Sequence, residues 1–336
     1  ECRGIRMEEG ARYILISDLH LGNGSASDDF RRNADLTLTV LETYQVRGYF
    51  LILNGDIEEL LRFELADIKK KWERFYRVLS AFQAEKRLLK LVGNHDIDLL
   101  DQADGQFPVE EAVRLETGTD TIFIFHGHQM SPRLRRPNPV ITFILKYIAT
   151  PLRIRNYSVS ADSARKFKLE RTIYRFSARN RILSIIGHTH RPLFESLSKV
   201  DSIRFEMEQL CLEYTTADSD RRFAIENRIQ FLKADLERTL EKDDRMDYRS
   251  SLYNANVVVP CLFNSGTVIG KRGITCIEIE AGLIRLVHWF DLKSSSSYLE
   301  RQASAIERIG DSDIFRVTIK EDRLEHIFSR IRLLGG

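Results

Sequence analysis

A chain of 336 residues that is 43% apolar and 30% charged, with a net charge of +2, has the make-up of a folded globular protein and excludes a disordered or collagen-like one. The near balance of charge says little about partners, and Cys2, Cys211, Cys261 and Cys276 form neither a C-x-x-C pair nor a small disulfide framework, so they read as reduced thiols. No basic-then-apolar leader is expected at the start, and the longest strongly apolar run, 140–149, is broken by Lys146 and too short to span a bilayer, so the expected location is the cytoplasm.

In chain order, a first buried strand is predicted at 14–17, followed by a helix over 28–44 with Asp28 as its N-cap. A second strand at 49–54 precedes a helix over 68–85, where apolar residues recur at helical spacing. Runs at 88–92, 121–125 and 183–186 complete a set of five short segments rich in β-branched, aromatic or Leu residues, which read as strands buried on both faces. Farther on, 257–263 reads as a strand, Asn264-Ser265-Gly266-Thr267 as a turn, and 274–280 with 282–290 as a hairpin about Ala281-Gly282. After Lys293, the serines 294–297 read as a linker, and the tail to Gly336 holds a predicted helical stretch near 298–309 and a strand-like 315–319.

Each of the five buried runs is followed by a polar segment: Asp18-Leu19-His20, Gly55-Asp56, Gly93-Asn94-His95-Asp96, His126-Gly127-His128 and Gly187-His188-Thr189-His190. Such residues cannot continue a strand through the core, so they fall where strand gives way to loop. In open α/β sheets the carboxyl ends of the strands are where ligands bind. Converging, these ends supply enough carboxylate, amide and imidazole donors for two metal ions. Oxygen and imidazole donors without thiolate suit Mn, Fe or Zn, and a lone Mg or Ca site would not recruit so many histidines. The neighbouring glycines Gly55, Gly93, Gly127 and Gly187 leave room for a close backbone approach or a positive φ.

The order D-x-H, G-D, G-N-H-D, H-G-H, G-H-T-H resembles the calcineurin-like metallophosphoesterase superfamily. That resemblance implies a four-layer αββα sandwich of the α/β (α+β) class. It implies that Asp18, His20 and His190 complete one metal site, that Asn94, His126 and His188 complete the other, and that Asp56 bridges two divalent ions, with Mn first and Fe or Zn as alternatives. Whether His126 or His128 is the ligand stays open; the relatives favour His126 and leave His128 as a neighbour that contacts phosphate, together with Arg191. The implied reaction is hydrolysis of a phosphoester or pyrophosphate bond by a hydroxide shared between the ions. His95 is the candidate general acid, with Glu59 or Asp96 to orient its ring; Glu59 is favoured because relatives often carry a carboxylate there, although Glu58-Glu59 also reads as a solvated helix start.

The metallophosphoesterase domain is expected over 11–292, with insertions at 131–181 and 203–249 and an extension over 293–336. The first insertion holds thirteen Lys or Arg against only Asp162 and Glu170, among many bulky aliphatics. Basic and amphipathic together suit an anionic, partly apolar partner. In that it is similar to the helical lid of UDP-2,3-diacylglucosamine pyrophosphatases, implying a lipid-linked substrate and peripheral contact with an anionic membrane at its inner face. Where those enzymes usually carry arginine and aspartate, this chain has His95 and His128. The same segment also reads as a track for nucleic-acid phosphates, or as ordinary helical packing. The second insertion reads as a helical hairpin whose apolar face suits a homodimer or its own domain. Relatives of this fold include non-catalytic interaction scaffolds, but those tend to lose ligands, and here every ligand position and His95 are filled.

Overall fold

The computed structural model describes residues 2–8, 10–101, 107–130, 163–195, 203, 207, 210–211, 213–245, 259–292 and 306–336. Two sheets face each other. The larger, in the order β12-β13-β11-β10-β2-β3-β4-β5, comprises Ile306–Arg308, Ile314–Arg323, Leu283–Asp291, Ile274–Glu280, Tyr13–Ile16, Phe50–Asn54, Leu88–Leu91 and Val109–Glu110. The smaller, in the order β1-β6-β7-β8-β9, comprises Arg3–Arg6, Ala112–Thr117, Asp120–Phe125, Leu183–Ile186 and Leu262–Asn264. Strands β2, β3, β4 and β5 are parallel, as are β7, β8 and β9. Their carboxyl ends therefore open on one crevice.

The period-two alternation of strand side chains explains the layering. In β2, Tyr13 and Leu15 join the core between the sheets with Ile52, Leu89, Val113, Ile122, Ile185 and Phe263. Ile14 and Ile16 face the other way, into a core capped by helices α1 (Ala34–Val46), α2 (Leu65–Lys71) and α3 (Glu73–Ala84). On the smaller sheet, Phe125, Ile186 and Leu262 pack under Leu169 and Ile173 of α4 (Ser163–Asn180). Helix, sheet, sheet, helix is the αββα order. Also described are α5 (Ser219–Arg245) and α6 (Leu324–Leu334), and no helix among the described residues is long and apolar enough to cross a membrane.

The predicted strands fall within a residue or two of those observed, apart from the shorter β9, whose predicted start at 257–258 lies outside the described residues, and β13, which runs four residues beyond the predicted 315–319. The helices differ for local reasons. The run 28–44 begins as a 3-10 turn, Phe30–Asn33, and only then becomes α1. The Asp28 carboxylate accepts from the Gly24 and Phe30 amides, 2.7 and 3.0 Å away, so it ties a loop rather than capping an α-helix. The run 68–85 breaks at Trp72, whose indole N–H donates to the Gly22 carbonyl at 2.8 Å while its backbone leaves the helical region. Of the basic insertion, 131–162 lies outside the described residues, and the remainder is α4. The break foreseen at 215–219 precedes α5, the described half of the hairpin.

Over its described residues, 306–336, the expected extension joins the fold. Residues 306–308, expected as helix, form strand β12, and β13 pairs along β11 from Leu283–Arg323 to Asp291–Ile314. Leu324, Ile327, Phe328 and Ile331 of α6, a helix the sequence reading did not place, enter the core between the sheets. At the other end, β1 adds to the smaller sheet ahead of the expected start of the domain.

Two stability predictions follow from this packing. Ile327→Ala should lower the unfolding free energy by about 2–5 kcal/mol in a urea titration, because that side chain is fully buried. A loss below about 0.5 kcal/mol, typical of a surface site, would place α6 outside the core. His288, stacked on Phe290, is held neutral by burial, its pKa drawn down from 6.5 to about 4. The unfolded chain takes up that proton first, so stability is whole above about pH 6.5 and falls by up to about 3 kcal/mol as pH drops towards 4. His288→Gln should flatten the acid limb of Tm against pH, and an unchanged slope would remove His288 from the acid response.

Candidate metal centre

Asp18 and His20 follow β2, Asp56 follows β3, Asn94 and His95 follow β4, His126 follows β7, and His188 and His190 follow β8. Five of these residues hold left-handed backbone: Asp18, His20, Asp56, His188 and His190 have φ of 55°, 49°, 53°, 65° and 54°. Non-glycine residues adopt that conformation at a cost that surrounding structure must offset. Here the offset is visible in the hydrogen bonds. Leu19 and His20 amides both donate to the Asp56 carbonyl at 3.0 Å, the His95 amide donates to Asp56 Oδ1 at 2.9 Å, and the His188 amide donates to both Asp18 oxygens at 3.1 and 3.0 Å. Gly93 and Gly187 allow this crowding, since a Cβ on Gly93 would stand 2.1 Å from Asp56 Oδ1 and one on Gly187 2.6 Å from Asp18 Oδ2.

Three donor groups result, each with ligand atoms within 4.8 Å of one another: Asp18, His20 and His190; Asp56, His126 and His188; and His20, Asp56 and His95. His190 Nε2 lies 3.1 Å from Asp18 Oδ1 and 3.1 Å from His20 Nε2. His126 Nε2 lies 3.1 Å from Asp56 Oδ2. The opposite ring nitrogens are already engaged: His126 Nδ1 donates to the Asn54 carbonyl at 2.8 Å, and His20 Nδ1 meets Glu59 Oε2 at 2.9 Å. Such outer partners fix a ring so that its other nitrogen faces a metal. Buried and without a hydrogen-bond partner among the described residues are Asn94 Oδ1, His126 Nε2, His128 Nδ1 and His188 Nε2. Buried polar atoms left in this state are uncommon, and a bound ion would account for those of Asn94, His126 and His188. Hard oxygen donors with imidazoles suit a dinuclear divalent metal site.

Charge is concentrated here. Burial alone would raise the pKa of Asp56, but the imidazoles of His126, His95 and His20 outweigh it and hold the carboxylate well below its usual range. Burial likewise opposes charge on Glu59, and His95 and His20 pull it down to about 2. The same carboxylates act on the rings: against burial, Glu59 and Asp56 lift His95 to about 10, and Asp56 and Asp18 lift His126 to about 9. Burial and the neighbouring His126 draw His128 and His188 down to about 3.

Glu59 belongs to no helix. It accepts from His95 Nδ1 at 2.8 Å as well as from His20. Asp96, the other carboxylate considered for that task, spends its oxygens on backbone amides instead, those of Gly93 at 2.6 Å and Ile57 at 2.7 Å. Adjacency in sequence put Asp96 beside His95, but the turn between them directs it at the loop carrying Asp56. His128 is buried 5.6 Å from the His126 ring. Arg191 is bound to Glu170 of α4, a fully buried carboxylate that also accepts from Thr189 Oγ1 at 2.6 Å.

Several supporting residues carried no sequence signal that single-chain reading could use. Ser17 Oγ meets Ser265 Oγ at 2.8 Å, and Asn264 donates from Nδ2 to the Gly187 carbonyl at 3.0 Å and to Thr189 Oγ1 at 2.9 Å. The polar turn after β9 was the only hint of them. Beneath the Asp56 loop, Lys90 Nζ pairs with Glu58 at 2.6 Å, and the Tyr76 hydroxyl donates to the same carboxylate at 2.9 Å.

An α/β sandwich with aspartate and histidine donors gathered at its parallel strand ends is the architecture of a metal-dependent hydrolase. The calcineurin-like phosphoesterase family model matches residues 11–196, more than half of the chain, and the chain belongs to that family. Among solved structures it is similar to the phosphoesterase YfcE of E. coli, at 13% identity over 82% of this chain and 91% of that one, with a TM-score of 0.35. It is also similar to vacuolar protein sorting 29 of Cryptosporidium parvum, at 13% identity over 94% and 100% of the two chains, with a TM-score of 0.36. No curated protein matches the chain.

The crowding predicts that Gly93→Ala will abolish high-affinity metal uptake, because the new methyl would occupy the place of Asp56 Oδ1. Calorimetric titration with Mn should show the loss while circular dichroism stays close to the parent. Unchanged stoichiometry and affinity would show that the Asp56 loop gives way without harm.

Proposed function

We propose that this chain hydrolyses phosphoester bonds at a dinuclear centre in which Asp18, His20 and His190 hold one divalent ion, Asn94, His126 and His188 the other, and Asp56 both. The observation that carries this reading is the convergence of Asp18, His20, His190, Asp56, His126 and His188 on two donor groups, with outer partners already fixing the His20 and His126 rings. Two ions, when bound, lower the pKa of a water and neutralise charge on a phosphoryl group. The oxygen and imidazole donors suit Mn, Fe or Zn, and Mn is the ion to try first.

The chain's own part is orientation and proton supply. Glu59 holds the His95 ring through Nδ1, leaving Nε2 directed to the cluster, 3.9 Å from Asp56 Oδ2. The Glu59 and Asp56 carboxylates favour a charged ring, which suits His95 to give a proton from Nε2 to the leaving oxygen. His128, held neutral by burial, offers its ring to the phosphoryl oxygens.

Asp56→Ala should remove nearly all activity and most bound metal, since one carboxylate serves both ions. His95→Ala separates proton donation from metal binding, a distinction the third donor group makes necessary. It should keep two ions per chain by metal analysis and lose about 10²- to 10⁴-fold in kcat on an alkyl phosphate, with a smaller loss on p-nitrophenyl phosphate, whose leaving group needs little protonation. Loss of an ion would make His95 a ligand, and equal losses on both substrates would exclude it as the acid.

A further inference from the structure

Two cationic side chains, Lys166 and Arg191, stand on one side of the metal cluster, with Lys166 within electrostatic reach of Asp18. Helix α4 packs on the turn His128–Met130 and on β8 and β9, so it lies beside the residues that follow β7 and β8. From it Glu170 reaches Thr189 and Arg191, the two residues that flank His190. One turn earlier on the same helix, at the i−4 position that shares a face with Glu170, stands Lys166.

Lys166 is half-buried, and its ammonium forms no ion pair or hydrogen bond among the described residues. It lies within electrostatic reach of Glu170, Arg191 and Asp18, and burial together with Arg191 disfavours its charge. Glu170 is already bonded to Thr189 and Arg191, and it forms no bond to Lys166 among the described residues. A half-buried ammonium without a counter-ion is costly, and an incoming anion removes the cost. On the turn against which α4 packs, His128 Nδ1 is buried without a hydrogen-bond partner among the described residues.

We infer that Lys166 and Arg191, the latter fixed by Glu170, form a subsite for a second phosphate of the substrate, next to the phosphoryl group held at the metals. This rests on the hydrolytic reading above. Under that reading the metals and His95 serve the scissile phosphoryl group, whereas the guanidinium fork and ammonium on the α4 side are placed for a neighbouring group. Arginine matches phosphate through its planar fork, and lysine adds a point charge. Glu170 acts through Arg191 as a positioning residue. The second phosphate joins the first either as an anhydride or as a separate ester a few carbons away.

Binding of non-hydrolysable probes to the Mn-loaded protein tests this without turnover. Calorimetry with orthophosphate, methylenediphosphonate and 1,3-propylenediphosphonate, all in excess Mn, should show one diphosphonate binding at least about tenfold tighter than orthophosphate, the worth of one charge-assisted hydrogen bond. The one-carbon probe represents the anhydride and the three-carbon probe the separated ester. Lys166→Gln should erase that advantage, Lys166→Arg should restore most of it, and Glu170→Gln should weaken it while leaving orthophosphate affinity closer to the parent. Equal affinity for all three probes in the parent, or an undiminished advantage in Lys166→Gln, overturns the subsite.

Turnover of aryl phosphates in the parent, measured beside this, keeps the two readings apart. Hydrolysis without a diphosphonate preference removes the subsite alone. A Lys166-dependent preference without hydrolysis of any phosphoester removes the catalytic reading and leaves an anion-binding site.

Discussion

The Glu59 carboxylate grips two imidazoles at once, His20 on one oxygen and His95 on the other, and the order of the crevice depends on that grip. His20 presents Nε2 to Asp18 and His190, whereas His95 presents Nε2 towards Asp56. A single acidic side chain thereby sets the direction of a metal-ligand candidate and of the proton donor beside it. Their rings meet edge to face with centroids 4.7 Å apart, a geometry that leaves little freedom to either. Glu59 itself is held because its own amide bonds to the Leu21 carbonyl across the bridge joining the first two site loops.

Burying so many charges requires that each meet its opposite. Asp18, Asp56 and Glu59 lie against His126, His190, His20 and His95, and the carboxylates are pulled down as the rings of His126, His20 and His95 are lifted, whereas burial draws His190 down. Beneath them a second balance is struck, with Lys90, 3% exposed on β4, compensating Glu58. Asp96 is the exception, driven up to about 6 by burial and by the charges of Asp56 and Glu58, yet kept in place by two backbone amides. A buried ion pair of this kind contributes more to specifying one geometry than to net stability. The left-handed ligand residues fit that pattern, because the strain they store is sustained by bonds between loops rather than within them.

Much of the sandwich was legible in the chain because buried parallel strands advertise themselves as unbroken apolar runs, and because a ligand residue can stand only where such a run stops. That logic located β2, β3, β4, β7 and β8 and the residues that follow them. It failed where partners are distant in sequence. Nothing near Arg191 announces Glu170, and nothing near Trp72 announces the Gly22 carbonyl that draws it out of a continuous helix. It failed again in the tail, where 306–308 form a strand instead of a helix and Leu324–Leu334 form a helix that no signal near it announced, although the strand-like 315–319 is the middle of β13. Pairing with β11 and β12 gives β13 its place in the sheet. Asp96 shows the converse error, since proximity in sequence suggested a contact that a tight turn prevents.

Helix α4 joins the apolar core to the crevice. Its apolar face, Leu169 and Ile173, is bound to Phe125, Ile186 and Leu262 of the smaller sheet, so its position is set by the core and not by any ligand. Its polar face carries Glu170 into contact with the residues on either side of His190. A shift of the helix would have to break the buried Glu170 bonds as well as the apolar contacts, and the Asn264 bond to Thr189 resists it from the opposite side. The segment that begins as a basic insertion in the sequence therefore ends, over its described residues, as a fixed wall beside the residues that flank His190.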